Sequence, residues 1–120
     1  MKKKYIIITG GAGFVGSNLI ELFLKKTNYK IISIDDYSSG NKKNHIINPK
    51  VKYIKGSTSN IFKILKKYKK SIESLFHFGE FSRIFQSFKM FNRCYQSNSI
   101  GSQTVFKFCL ENKIRLIYSA

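Results

Sequence analysis

The stretch "YIIITGGAGFVGSNLIELFLKK", Tyr5 to Lys26, decides how this 120-residue chain folds. Tyr5 to Thr9 reads as a buried strand, glycines follow at positions 10, 13 and 16, and an amphipathic run begins at once. Three glycines at G-x-x-G-x-x-G are weak evidence alone: at a glycine frequency of about 7%, chance gives roughly 3 in 10,000 per position. Their place between strand and helix strengthens them. Gly10 permits a tight turn out of the strand, Gly13 removes a Cβ from the path of an approaching ligand, and Gly16 lets the helix pack closely on the strand. The helix starting at Phe14 opens with free N–H groups and the positive end of its dipole, which suits phosphate oxygens.

Short apolar runs alternate with longer amphipathic ones along the rest of the chain. Strands are expected at Tyr5 to Thr9, Lys30 to Ile34, Val51 to Ile54, Ser74 to Phe78 and Ile114 to Ser119. Several are almost continuously apolar, as parallel strands buried on both faces require. The first helix, Phe14 to Lys26, is expected to bury Val15, Leu19, Leu22 and Phe23. Ile61, Ile64 and Leu65 repeat the helical spacing, and so do Val105, Phe108 and Cys109 in a stretch from about Phe91 to Asn112, closed by Lys113. Residues 36–50 form a polar connector with room for a short helix. Strand–helix–strand alternation means a parallel sheet with right-handed crossovers. The expectation is an α/β, Rossmann-type doubly wound sheet of about five strands, in one domain over residues 1–120.

Asp35, at the end of the second strand and 19 residues after Gly16, gives the glycine loop a chemical partner. Its carboxylate suits the adenosine ribose hydroxyls, and its charge repels a 2′-phosphate. Together with Asp36 it favours NAD over NADP, while Lys42 and Lys43 keep NADP open as the alternative.

The net charge of +16 raises nucleic-acid binding as a function class. The lysines are spread along the whole length in pairs and triplets, and arginine appears only at positions 83, 93 and 115. That dispersal favours a solvated lysine surface over a nucleic-acid or membrane partner. Three lysines before an apolar run resemble a signal sequence, but glycines, Asn18 and Glu21 interrupt the run and no A-x-A site follows. No stretch approaches the roughly 20 apolar residues of a membrane span. Cys94 and Cys109 lie 15 apart with no C-x-x-C pair, so neither a metal site nor a disulfide is expected, and the thiols fit a reducing cytoplasm.

The spacing "TGGAGFVGSNL", followed by "IDDYSSGN", "KGST", "HFGE" and "NSIGS", resembles the NAD-dependent sugar-nucleotide epimerase/dehydratase family of extended short-chain dehydrogenases. The resemblance implies strand order 3-2-1-4-5 and a set of cofactor contacts. Phe14 and Val15 would meet the pyrophosphate through backbone, beside Gly10, Gly13 and Gly16. Asp35 and Asp36 would hold the adenosine ribose, with Ser39 and Gly40 near its phosphate side. Ser57 and Thr58 stand where the family clasps adenine, with Ser57 in place of the usual aspartate. Phe78 and Gly79 would flank the diphosphate and nicotinamide ribose, and Asn98 would lie near the nicotinamide and substrate side. Glu80 occupies a position where a small residue is commoner, and Arg83 is placed to neutralise it. His77, ending a buried strand, reads as a satisfied core residue rather than a catalyst.

The family's general base is the tyrosine of a Tyr-x-x-x-Lys pair, and no such spacing occurs in this chain. The sheet is expected to be C-terminally truncated relative to the family, with the substrate half absent and no catalytic residue present. The resemblance thus implies the NAD-binding portion of an enzyme acting on UDP- or dTDP-sugars, inactive alone, with a homodimer or a complementing chain as possible partner. The alternatives are a non-catalytic dinucleotide-binding module completed by another chain, and a basic nucleic-acid binder.

Overall fold

The structure is a computed structural model, and it describes residues 2–38, 40–78 and 100–118. Five strands form one parallel sheet: β1 (Tyr5–Thr9), β2 (Lys30–Asp35), β3 (Val51–Lys55), β4 (Ile72–His77) and β5 (Arg115–Tyr118). Their order is β3-β2-β1-β4-β5, with β1 at the centre. Thr9 lies opposite both Ile34 and His77, and Asp35 lies opposite Lys55. All carboxyl ends therefore share one edge. The chain leaves β1 towards β2 on one side and finds β4 on the other, so the crevice of a doubly wound sheet opens above β1.

Among the described residues, three α-helices flank the sheet: α1 (Phe14–Lys26), α2 (Ile61–Ile64) and α3 (Ser102–Glu111). Strand alternation sorts the core cleanly. Ile6, Ile8 and Ile31 pack with Ile20 of α1, whereas Ile7, Ile32, Ile34 and Leu75 pack with Ile61, Leu65, Val105, Phe108 and Cys109. The central strand is sealed on both faces, with Ile7 and Ile8 at 0% exposure.

Two local expectations are corrected. The buried stripe of α1 is Gly16 and Ile20, flanked by Leu19, Phe23 and Leu24, while Val15 and Leu22 are exposed. Glycine sets that phase: the helix closes on the Gly10–Gly11 turn at Gly16, where it has no side chain, and Ile20 follows one turn later. Strand β4 starts at Ile72 rather than Ser74, and its register against β1 skips Glu73 between Tyr5 and Ile6. A local irregularity lets buried Ile72 pair while charged Glu73 drops out of the ladder.

Candidate functional site

The carboxyl edge is built from the glycine turn outward. Gly10 adopts φ 78°, the left-handed region that glycine enters without steric cost, and its N–H donates to Ile34 O at 2.8 Å. The turn closes when Gly13 N–H donates to Gly10 O at 3.1 Å. A Cβ on Gly16 would overlap the Gly10 carbonyl, so glycine at 16 is required for helix and turn to touch. Gly13 differs, since an added Cβ would meet only Gly10 O, at 3.3 Å. Gly13 stands at the half-exposed start of the helix. There α1 begins with no side-chain cap, and Phe14 and Val15 stand 82% and 57% exposed beside it.

Gly11 carries a constraint that the spacing of the motif concealed. A Cβ there would overlap Ser33 Oγ on β2 and crowd Ile20 of α1. Ser33 is buried, and its hydroxyl has no hydrogen-bond partner among the described residues. The double glycine "GG" was the available signal, but only one of its members fits the three-residue rhythm.

Asp35 sits at the end of β2, 9% exposed, and reaches over this turn. Its Oδ2 accepts from Ala12 N–H at 3.0 Å and its Oδ1 from Tyr37 N–H at 2.8 Å. A carboxylate offers about four acceptor sites, so two lone-pair positions remain for a ligand. Gly40 lies against the same carboxylate: a Cβ there would fall 2.7 Å from Asp35 Oδ2. Asp36 is exposed and accepts from Ser38 N–H at 2.9 Å, which shapes the connector.

The connector folds back onto the glycine turn. Ala12 O accepts from Asn41 N–H at 3.0 Å and from the Asn44 side-chain amide at 2.7 Å. Ala12 is completely buried and ties the loop in both directions, to β2 through its N–H and to the connector through its carbonyl. Asn41 also caps the short 3-10 turn Lys42–Asn44. Tyr37 holds φ 62°, unusual for a non-glycine residue. Its N–H is fixed by Asp35, and its phenol lies 2.6 Å from His45 Nε2. His45 in turn stacks on Tyr53 with ring centroids 3.8 Å apart. Burial, followed by the charge of Asp35, pushes the Tyr37 phenol above its ordinary value. Nothing in the sequence flagged Ala12, Tyr37, Asn41 or Asn44, because the links they make join the turn to a connector some thirty residues away or lie within the connector, and leave no spacing pattern in the residue types.

The remaining predicted residues divide into two groups. Ser57 and Thr58 join the edge: Gly56 N–H donates to Asp35 O at 3.0 Å, and Ser57 caps the turn that follows, with its Oγ accepting from Ser59 N–H at 3.2 Å. Phe78 follows β4, its N–H bonded to both Thr9 O and Thr9 Oγ1 at 3.0 Å. Ser39, Gly79, Glu80, Arg83 and Asn98 lie outside the described residues. His77 is the satisfied core residue that the sequence suggested. It is fully buried, with Thr9 Oγ1 2.6 Å from Nδ1 and Ser102 Oγ 2.9 Å from Nε2.

Known proteins share this fold. The chain is 26% identical over 119 residues to UDP-glucose 4-epimerase of Lactobacillus helveticus, an alignment covering 96% of this chain and 34% of that protein. It is 31% identical over 121 residues to dTDP-D-glucose 4,6-dehydratase of Dictyostelium discoideum, covering 92% and 27%. It therefore spans about a third of the length of these relatives. Among solved structures, the UDP-glucose 4-epimerase of Thermotoga maritima with UDP-glucose superposes with a TM-score of 0.84 at 25% identity, over 97% of this chain and 37% of that one. Bordetella bronchiseptica WbmG in complex with NAD gives 0.83 at 25% identity, over 98% and 37%. The family model for the NAD dependent epimerase/dehydratase family matches residues 6–120. The chain belongs to that family.

Proposed function

We infer that residues 1–120 are the NAD-binding part of a sugar-nucleotide epimerase or dehydratase. The observation that carries this reading is the Asp35 carboxylate, held by Ala12 N–H and Tyr37 N–H beside the glycine turn with acceptor capacity to spare. The residues fit a dinucleotide. The exposed start of α1 would receive the pyrophosphate through the backbone of Phe14 and Val15, with Gly13 beside it and Gly10 and Gly16 holding the turn against the helix. Asp35, with Asp36 and Gly40 alongside, would take the adenosine ribose. Ser57 and Thr58 border the adenine end, and Phe78 borders the nicotinamide end. When bound, NAD supplies a hydride acceptor and donor. This chain's own residues hold and orient it, and Asp35 disfavours the extra phosphate of NADP.

Relatives named for UDP-glucose and dTDP-D-glucose chemistry point to a nucleotide-sugar as substrate of the whole protein. No Tyr-x-x-x-Lys pair lies within the 120 residues, so cofactor binding without sugar turnover is the expected behaviour.

Calorimetric titration tests the reading. NAD binds, NADP binds more weakly, and Asp35→Ala lowers NAD affinity roughly 10- to 100-fold, the range for losing hydrogen bonds to a charged group. A folded sample that gives no heat and no thermal shift with millimolar NAD rejects it.

A further inference from the structure

Several of the lysines that are scattered along the sequence converge in space. In a parallel doubly wound sheet, every strand start and every helix end falls on the edge opposite the carboxyl ends. Lys4 N–H and Tyr5 N–H donate to Ser71 O at 2.7 and 3.0 Å, and Lys30 N–H donates to Lys4 O at 2.9 Å. Lys4 is thereby fixed between the starts of β2 and β4, and Lys2 and Lys3 lead into it. The Lys25-Lys26 pair ends α1, the Lys69-Lys70 pair runs into Ser71, and Lys113 and Arg115 lead into β5; all are exposed. Acidic residues near this edge are few. Glu21 is 3.0 Å from Lys25, Glu111 is 3.9 Å from Lys107, and Glu73 sits at the β4 irregularity. Among the described residues no carboxylate lies within ion-pair distance of Lys2, Lys3, Lys4 or Lys30.

At the centre of this edge is a cavity of about 420 Å³ lined by Lys2, Lys3, Lys4, Asn28, Tyr29 and Lys30. It faces away from the glycine turn. We propose that this edge binds single-stranded nucleic acid, with phosphates on the lysines and one base in the cavity against Tyr29. Tyr29 is half-buried on the core formed by Ile6, Ile8 and Ile31, which steadies its ring. A steady ring beside cationic side chains is the pairing that single strands use, because every base offers a face to stack. Duplex bases are not free to enter a cavity. Lysine ammoniums act as point charges without the two-pronged selectivity of arginine, so binding is tolerant of sequence and sensitive to salt. None of this depends on the cofactor reading, since the two sites occupy opposite edges.

The test is fluorescence anisotropy of a labelled oligothymidylate of roughly twenty nucleotides, titrated with the whole chain. Engaging about four phosphates predicts affinity falling about fiftyfold between roughly 50 and 200 mM salt. Lys3→Glu with Lys30→Glu weakens binding about tenfold or more. Lys55→Glu with Lys63→Glu, an equal charge change placed off this edge, weakens it less than about threefold. Tyr29→Leu costs about fivefold or more with an unchanged salt slope, while Tyr29→Phe retains affinity. Circular dichroism checks each variant, and if Tyr29→Leu does not fold, the two lysine pairs decide alone. Saturating NAD leaves the oligonucleotide bound. Equal losses from both lysine pairs, displacement by NAD, equal affinity for duplex, or binding only to vesicles of anionic phospholipid overturns the proposal.

Discussion

At the scale of single residues, the glycine turn shows how one motif carries two kinds of demand. Gly16 and Gly11 are glycines because protein atoms stand where a Cβ would go, whereas Gly13 is glycine with only Gly10 O nearby. Gly11→Ala should destabilise the fold by about 1–3 kcal/mol through overpacking. In a Ser33→Gly background most of that cost should disappear, since Ser33 Oγ and Cβ are the closest obstacles. Denaturant melts of the four variants give the coupling directly, and strict additivity would show that the clash lies elsewhere. The sequence pointed to Gly10, Gly16 and Asp35 because their spacing is itself the signal. It was silent about Ala12 and Asn44, since an alanine carbonyl and the amide that meets it leave no pattern in the residue types.

At the scale of elements, α1 was legible in extent and only partly in phase: Leu19 and Phe23 pack on the core as expected, whereas Val15 and Leu22 are exposed. Its bounds matched because the turn before Phe14 and the Lys25-Lys26 ending are local features. Its buried face is set by packing on the sheet through Ile20 and on the Gly10–Gly11 turn through Gly16, and a glycine at a point of contact does not count as apolar in any periodicity. Lys50 supplies another unannounced link: its Nζ donates to Leu24 O at 3.1 Å and Thr27 O at 3.0 Å, capping the carboxyl end of α1. A cation on those unpaired carbonyls also complements the helix dipole. Lys50→Met should keep the packing and lose both bonds, lowering stability by about 1–2 kcal/mol. An unchanged melting midpoint would mean that water replaces the ammonium without loss.

Helix α3 offers a pH test. Burial pushes the Cys109 thiol up to about 12 from an ordinary value of 9.0. The thiol stays protonated in the native state, so alkylation mapped to Cys109 at pH 8 should be negligible until denaturant is added. Because the folded value is the higher one, this group's contribution to stability is intact below pH 9 and is lost as pH rises from there towards 12. The same alkaline loss should shrink in Cys109→Ala, and an identical pH dependence in both chains would reject the assignment.

At the scale of the whole molecule, the parallel sheet puts its two edges to different use. The carboxyl edge gathers the glycine turn, Asp35, Ser57 and Phe78, while the amino edge gathers exposed lysines, of which Lys2, Lys3, Lys4 and Lys30 have no carboxylate within ion-pair distance among the described residues. A chain carrying +16 repels itself, most strongly where those lysines crowd. Raising salt from about 10 to 200 mM shortens the Debye length from about 30 Å to under 10 Å and should raise Tm by several degrees. A Tm indifferent to salt would show that the lysines are far enough apart to ignore one another. The sequence by itself determined the fold class, the strand order through its family resemblance, the glycine turn and its acidic partner. Each of these depends on residues close in the chain or on spacing that repeats. Only the tertiary structure decided which face α1 buries, that Ala12 joins the turn to the connector, and that several dispersed lysines share one edge. Those facts arise from residues far apart in sequence, and packing alone brings them together.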